Sequence, residues 1–347
     1  MVLDELGTPV VLAPMAGGPS TPELAAAVSE AGGLGFVAAG YLPAGELAAR
    51  IKSTRALTTR PFGVNLFYPS EPSPTARFSP YIEELSRDYP VGDAKHDTDD
   101  WDAKLDLLIA EPVAVVSSTF GCPTASEIAR LHAVGSEVWV TVTSVAEARQ
   151  AVAAGADVLV AQGAEAGGHR GTFIDDPADD LADPLGVLAL VQLLRAAVEV
   201  PIVAAGGLAT GAAVAAALAA GASAAQVGTA FLRCPEAGTA PFMRAAIAAD
   251  TPTMLTRAFT GRRARGLRNR FMVEHLDAPA AYPEIHYATG PLRAAARTAG
   301  NAEEVNLWAG QAHSLAPELP AGELVRKLTA DAKIALERAL SLRIQGY

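Results

Sequence analysis

The chain has 347 residues, half of them hydrophobic, and a formal net charge of -11. That length allows one large domain, or one domain with a small companion, around a sizeable core. The acidic balance argues against nucleic acid as a partner, and no apolar run reaches the roughly 20 residues of a membrane span.

The two cysteines, Cys122 and Cys234, are far apart. They form neither a disulfide framework nor a zinc spacing, which fits a reducing compartment. The opening Met-Val-Leu-Asp-Glu-Leu lacks a basic region and an apolar signal core. The expectation is a soluble, cytoplasmic protein with no metal site and no membrane partner.

The first predicted strand, 10–16, is nearly continuous in apolar residues, as in parallel sheets covered on both faces. Gly17 and Gly18 end it. Ser20 and Glu23 fit a capping box with Pro22 in the first turn, and Gly32-Gly33 closes the helix that follows. Further strands are predicted at 34–39, 62–67, 114–120, 138–143, 158–163, 201–207 and 224–232. Ser144 with Glu147, and Thr210, start two of the intervening helices. Gly155 and Gly221 stop them.

Strands that alternate with helices imply parallel pairing and right-handed crossovers. Eight of them imply a closed (β/α)8 TIM barrel. An open doubly wound sheet ranks lower, because no Gly-x-Gly-x-x-Gly follows the first strand.

Two segments break the repeat. Residues 68–101 are rich in proline and charge and are expected over the barrel mouth or its surface. Residues 241–312 show no clear strand and read as a small, mostly helical second domain. Residues 323–342 form the closing barrel helix. The division is therefore 1–240 with 313–347 for the barrel, and 241–312 for the inserted domain.

The active face of such a barrel lies at the carboxyl ends of its strands. The sixth predicted strand runs into Gln162, Glu165, Gly167, Gly168 and His169. A lone histidine there would read as an exposed polar turn. Paired glycines that admit a ligand close to the backbone, beside a side chain that titrates near neutrality, read as function. Gly206-Gly207 and Gln226 to Thr229 end the next two strands, where barrels commonly bind phosphate. Met15, Asn65, Thr119 and Thr143 stand at other strand ends. Cys122 reads as a small residue at a tight turn. Arg257, Arg262, Arg263, Arg265, Arg268 and Arg270 read as a solvated or ion-paired helix face. His96, His132, His275 and His286 receive no role.

The set Ala-Pro-Met-Ala-Gly-Gly (13–18), Gly-Val-Asn-Leu-Phe (63–67), Gln-Gly-Ala-Glu-Ala-Gly-Gly-His-Arg-Gly (162–171), Ala-Ala-Gly-Gly-Leu (204–208), Gln-Val-Gly-Thr-Ala-Phe-Leu (226–232) and Leu-Trp-Ala-Gly-Gln (307–311) resembles the nitronate monooxygenases, once called 2-nitropropane dioxygenases. The likeness spans almost the whole chain. It departs after Gln311, where glycine is frequent and Ala312 and His313 stand instead.

The resemblance implies an FMN-containing oxidoreductase that converts alkyl nitronates, or nitroalkanes, with dioxygen. It implies that Met15, Asn65, Gln162, Gly167, Gly207, Gln226, Val227, Gly228 and Thr229 hold FMN, with Gly207 and 226–229 at its phosphate. His169 would be the catalytic acid–base residue. FMN-dependent NAD(P)H reductases of the enoyl-acyl-carrier-protein or quinone type share the glycine–histidine motif. They form the first alternative, and a non-catalytic flavin-binding protein the second. Oligomeric state stays open, with a homodimer among the expectations.

Overall fold

The computed structural model describes residues 1–178 and 184–341. Its strands in chain order are β1 (Val10–Leu12), β2 (Gly35–Ala38), β3 (Phe62–Phe67), β4 (Val115–Thr119), β5 (Glu137–Val142), β6 (Val158–Gln162), β7 (Gly168–His169), β8 (Ile202–Ala205), β9 (Ala224–Val227), β10 (Thr253–Thr256) and β11 (Ala264–Leu267). Eight of them pair in parallel in the order β1-β9-β8-β6-β5-β4-β3-β2. Leu34 closes the ring. Its N–H donates to Val10 O at 3.1 Å, and its carbonyl accepts from Leu12 N at 2.9 Å. The expected TIM barrel is therefore the fold, and the open sheet is excluded.

The period of 2 in strand side chains sorts the core into two shells. Val11, Phe36, Val115, Trp139, Val160 and Val203 point into the barrel. Val10, Leu12, Val37, Val116, Val140 and Ile202 point out and pack beneath the helices. The ring of Phe36 needs the space left by Gly63, where a Cβ would stand 2.3 Å from it. A short helix, Val2–Glu5, lies across the lower end. Val2, Leu3 and Leu6 pack on the inner shell, and Val2 N donates to Glu137 Oε1 at 2.6 Å.

Local signals place most helix ends. Ser144 accepts from Glu147 N, Thr210 accepts from Ala213 N, and Gly155 adopts φ 107° after its helix. The first cap differs from the expectation. Thr21, one residue on, accepts from Leu24 N at 3.0 Å, while Ser20 Oγ accepts from Met15 N at 2.8 Å. Pro22 then opens the helix as its first residue, which suits a ring with no N–H to lose. The helix Ala321–Ser341 packs on Gly211–Ala219 and Pro22–Glu30, as a closing barrel helix should. Residues 342–347, the expected end of the barrel segment, lie outside the described residues.

Residues 241–312 correct the sequence reading. They carry four helices, but also the antiparallel pair β10 and β11. β11 pairs on its other side with β7, Ala264 opposite His169 and Arg265 opposite Gly168. The 68–101 segment joins this lobe. Its helix Thr75–Leu85 buries Phe78, Tyr81 and Leu85 against Phe259, Phe271, Met272 and Ile285. Each such side chain contributes roughly 1.5–3 kcal/mol of apolar burial, and Tyr81 Oη donates to Ala258 O at 2.8 Å. The lobe thus sits on the barrel mouth and shares a sheet with the loop after β6.

Candidate active site

A cavity of about 400 Å³ lies between the carboxyl ends of the strands and the lobe. Met15, Asn65, Gln162, Gly167, His169, Gly207, Gln226, Gly228 and Thr229 all line it. Val227 does not, since its side chain packs outward beneath the helices. It meets the site only through its backbone, where its carbonyl accepts from Ala13 N at 2.8 Å.

The barrel wall is polar and neutral. Asn65 is buried, and its Nδ2 donates to Ser117 Oγ at 2.9 Å and Thr119 Oγ1 at 3.0 Å. Gln162 is committed to the chain that follows it. Its Nε2 donates to His169 O at 2.9 Å, and its Oε1 accepts from Gly171 N at 2.8 Å. Together with the β7–β11 pairing, this fixes the backbone that carries His169.

Gly167 must be glycine for a packing reason. A Cβ there would lie 2.5 Å from Gly310 N and 2.6 Å from Ala309 C. The Leu-Trp-Ala-Gly-Gln motif therefore crosses the 163–168 loop at backbone distance, and Gln311 N donates to Glu165 O at 3.0 Å. The departure after that motif has a local use. His313 is buried, with Nδ1 2.8 Å from Ile247 O and Nε2 2.7 Å from Thr251 O.

At the ends of β8 and β9 the N–H groups of Gly206, Gly207, Gly228 and Thr229 donate to no protein acceptor among the described residues. Gly206 and Gly207 have φ of 121° and 68°, a conformation open to glycine. Unpaired N–H groups in a recess suit an anion, and the residue types fit a phosphate.

His169 lines the same cavity as this recess. Its ring is bounded by Phe120, Tyr282 and Trp308, with centroids 5.7, 5.6 and 5.5 Å away. Burial, and then the positive charges of Arg262 and Arg293, hold its pKa down at about 3. The imidazole is therefore neutral near pH 7 and able to accept a proton.

Several lining residues had no sequence signal. Tyr41, Thr260, His286, Arg293 and Arg297 all line the cavity. Tyr41 stacks on His286 with centroids 4.0 Å apart and accepts from Tyr282 Oη at 3.1 Å. Arg293 is buried and donates to His286 O at 2.6 Å, and Arg297 stands exposed at the rim. The two are one helical turn apart on Gly290–Ala299. They give the mouth positive charge.

The arginine cluster is not the solvated helix face expected. Arg257, Arg262 and Arg265 are buried, and residues 264–267 are strand. Arg257 pairs with Asp175 at 2.5 Å, Arg262 Nε donates to Arg170 O at 3.1 Å, and Arg265 Nε donates to Ala164 O at 2.9 Å. They brace the loop on either side of His169. Arg270 is an exposed ion-pairing residue, with Glu274 at 2.8 Å. Cys122 is a turn residue. Its Sγ donates to Pro123 O, burial pushes the thiol up to about 11, and it does not line the cavity. No helix among the described residues is long and apolar enough to cross a membrane.

Known proteins match this arrangement over its whole length. The family model described as nitronate monooxygenase covers residues 2–331. The chain belongs to the nitronate monooxygenase family. A nitronate monooxygenase of Pseudomonas aeruginosa is 42% identical over 93% of this chain and 95% of its own. One from Paraburkholderia phytofirmans is 40% identical over 95% and 93%. The solved structure of a nitroalkane oxidase from Streptomyces ansochromogenes superposes with a TM-score of 0.95 and 49% identity, covering 98% of this chain and 99% of that one. FabK from Thermotoga maritima is more distant, at a TM-score of 0.76 and 30% identity over 97% and 96%. Nitronate monooxygenase family membership thus agrees with the barrel, the glycine recess and the histidine described above.

Proposed function

We propose that this protein oxidises alkyl nitronates, and nitroalkanes after loss of their α-proton, with dioxygen to a carbonyl compound and nitrite on a bound FMN. The observation that carries the reading is one cavity with unpaired backbone N–H groups on one wall and a neutral histidine beside arginine on the other. FMN, when bound, supplies the electron transfer and the reaction with oxygen.

The chain supplies the rest. Gly206, Gly207, Gly228 and Thr229 offer N–H groups for its phosphate, with Gln226 and Val227 forming the strand that presents them. Met15, Asn65, Gln162 and Gly167 line the adjoining wall. His169 takes the α-proton of a neutral nitroalkane. The imidazolium so formed is disfavoured by Arg262 and Arg293 until the nitronate anion forms beside it. Arg293 and Arg297 favour that anion over the neutral nitroalkane. The rings of Phe120, Tyr282 and Trp308 keep water from the imidazole, which strengthens these charge effects.

The test is anaerobic mixing of the FMN-loaded protein with a small nitronate and, separately, with NADH and NADPH. Bleaching of the flavin absorbance by nitronate and not by the nicotinamides is the expected result. Bleaching by a nicotinamide alone would make the protein a reductase instead.

A further inference from the structure

Thr260 is 1% exposed, lies 91 residues from His169 in sequence, and belongs to no motif. Its hydroxyl oxygen stands 2.9 Å from His169 Nε2 and 3.2 Å from the carbonyl oxygen of Arg262. The N–H of Arg262 approaches the same hydroxyl oxygen at 3.4 Å.

A threonine hydroxyl has one proton to give, and a neutral imidazole carries one proton on one of two nitrogens. If the hydroxyl proton went to Nε2, the Arg262 carbonyl would lose this donor. The imidazole proton would then sit on Nδ1, which has no protein partner among the described residues. If the hydroxyl donates to Arg262 O, its oxygen accepts from Nε2–H, every donor is paired, and Nδ1 carries only a lone pair. The second arrangement avoids the cost of an unpaired donor in a closed site.

The accepting carbonyl is held in place. Arg262 is 2% exposed, and its Nε donates to Arg170 O at 3.1 Å. Its guanidinium lies 4.1 Å over the Phe120 ring.

We infer that Thr260 is a positioning residue that holds His169 in the tautomer with its proton on Nε2, so that Nδ1 is the nitrogen that receives the substrate proton. The α-proton of the nitroalkane passes to Nδ1, and the C–H electron pair stays behind as the nitronate. The resulting imidazolium keeps its Nε2–H bond to Thr260. The proton-transfer step rests on the function proposed above. The tautomer does not.

The experiment therefore has two arms. In the first, ring nitrogens of 15N-histidine-labelled protein are observed by NMR, with the His169 signals assigned by their loss in His169→Asn. Wild type and Thr260→Ser should show a protonated Nε2 and a lone pair on Nδ1, and Thr260→Val should show a mixture. In the second arm, turnover of a neutral nitroalkane should fall on the order of 10- to 100-fold in Thr260→Val, part of the roughly 10²–10⁴-fold that a positioned base supplies. The loss should be smaller for the preformed nitronate, and Thr260→Ser should recover most of it.

A proton on Nδ1 in the wild type, or an unchanged tautomer in Thr260→Val, overturns the inference. So does a Thr260→Ser variant as impaired as Thr260→Val, since that would mean the methyl group matters and the hydroxyl does not. If Thr260→Val does not fold, the wild-type spectrum still decides the tautomer. If the wild type oxidises no nitronate, the proposed function falls, while the spectrum still decides the tautomer.

Discussion

On the barrel side the cavity is faced by backbone and neutral amides: Gly206, Gly207, Gly228, Asn65 and Gln162. On the lobe side it is faced by rings and charge: His286, Arg293 and Trp308. The barrel wall is built at the ends of paired strands, whose hydrogen bonds fix each position. The lobe wall comes from loops and short helices held by side-chain contacts, such as Tyr41 on His286. One wall is suited to holding a large, constant ligand, and the other to choosing and activating a small one. His169 belongs to both, since it follows a barrel strand and pairs with a lobe strand.

Substitutions can break or sharpen that division. The largest effect is expected at the shared residue. His169→Asn should keep FMN and lose roughly 10²–10⁴-fold in turnover of neutral nitroalkanes, measured by nitrite release. Full activity would remove the histidine from the chemistry. Next is Gly167→Ala, which drives a Cβ to 2.5 Å from the Gly310 backbone. About 1–3 kcal/mol of stability should be lost, together with flavin retention, in urea unfolding followed by fluorescence and absorbance.

A lobe-wall change should spare the flavin. Arg293→Gln should leave FMN binding intact and raise KM for a nitronate roughly tenfold, equivalent to about 1.4 kcal/mol. Equal loss of flavin would contradict the division. Tyr81→Phe, far from the cavity, removes only the bond to Ala258 O and should cost about 1 kcal/mol by thermal unfolding with kinetics unchanged.

The finest test is a difference of slopes. His169 and His286 both have pKa values lowered by burial first and by neighbouring positive charge second. On acidification the unfolded chain takes up protons at an ordinary histidine pKa of roughly 6.5, while the folded chain does not. The His169 contribution is thus present above pH about 6.5 and is lost as pH falls toward about 3, and His286 acts in the same direction. Urea midpoints between pH 7 and 4.5 should drop less in His169→Asn than in the wild type. Parallel slopes would mean that His169 is solvated.

The same division explains what could be read in the sequence. The barrel strands were legible because burial on two faces leaves a mostly apolar run, interrupted only at positions such as Asn65 and Ser117, and glycine or threonine marks the helix that follows. The cavity-lining residues on those strand ends came with them. β10 and β11 were not legible. Thr-Met-Leu-Thr and Ala-Arg-Gly-Leu show neither an apolar run nor a clean alternation, and arginines that hydrogen-bond to carbonyls look like surface charge. Tyr41, Thr260 and Arg293 were missed because nothing local marks them. They come to line one cavity with His169 only once the lobe lies over the mouth. Ser20 reads as the helix cap because Glu23 stands three residues on, yet Thr21 competes for the same role one position later and wins it.

The pairing of β7 with β11 has a mechanical consequence. A hinged cover that swung away from the barrel would tear Gly168 and His169 from their partners and carry the base out of register with each opening. The pairing ties the cover to the proposed proton acceptor through Ala264 and Arg265. Passage of substrate and product then falls to side chains at the rim, where Arg297 is exposed. A doorway framed by side chains would admit substrates by size before any chemistry begins.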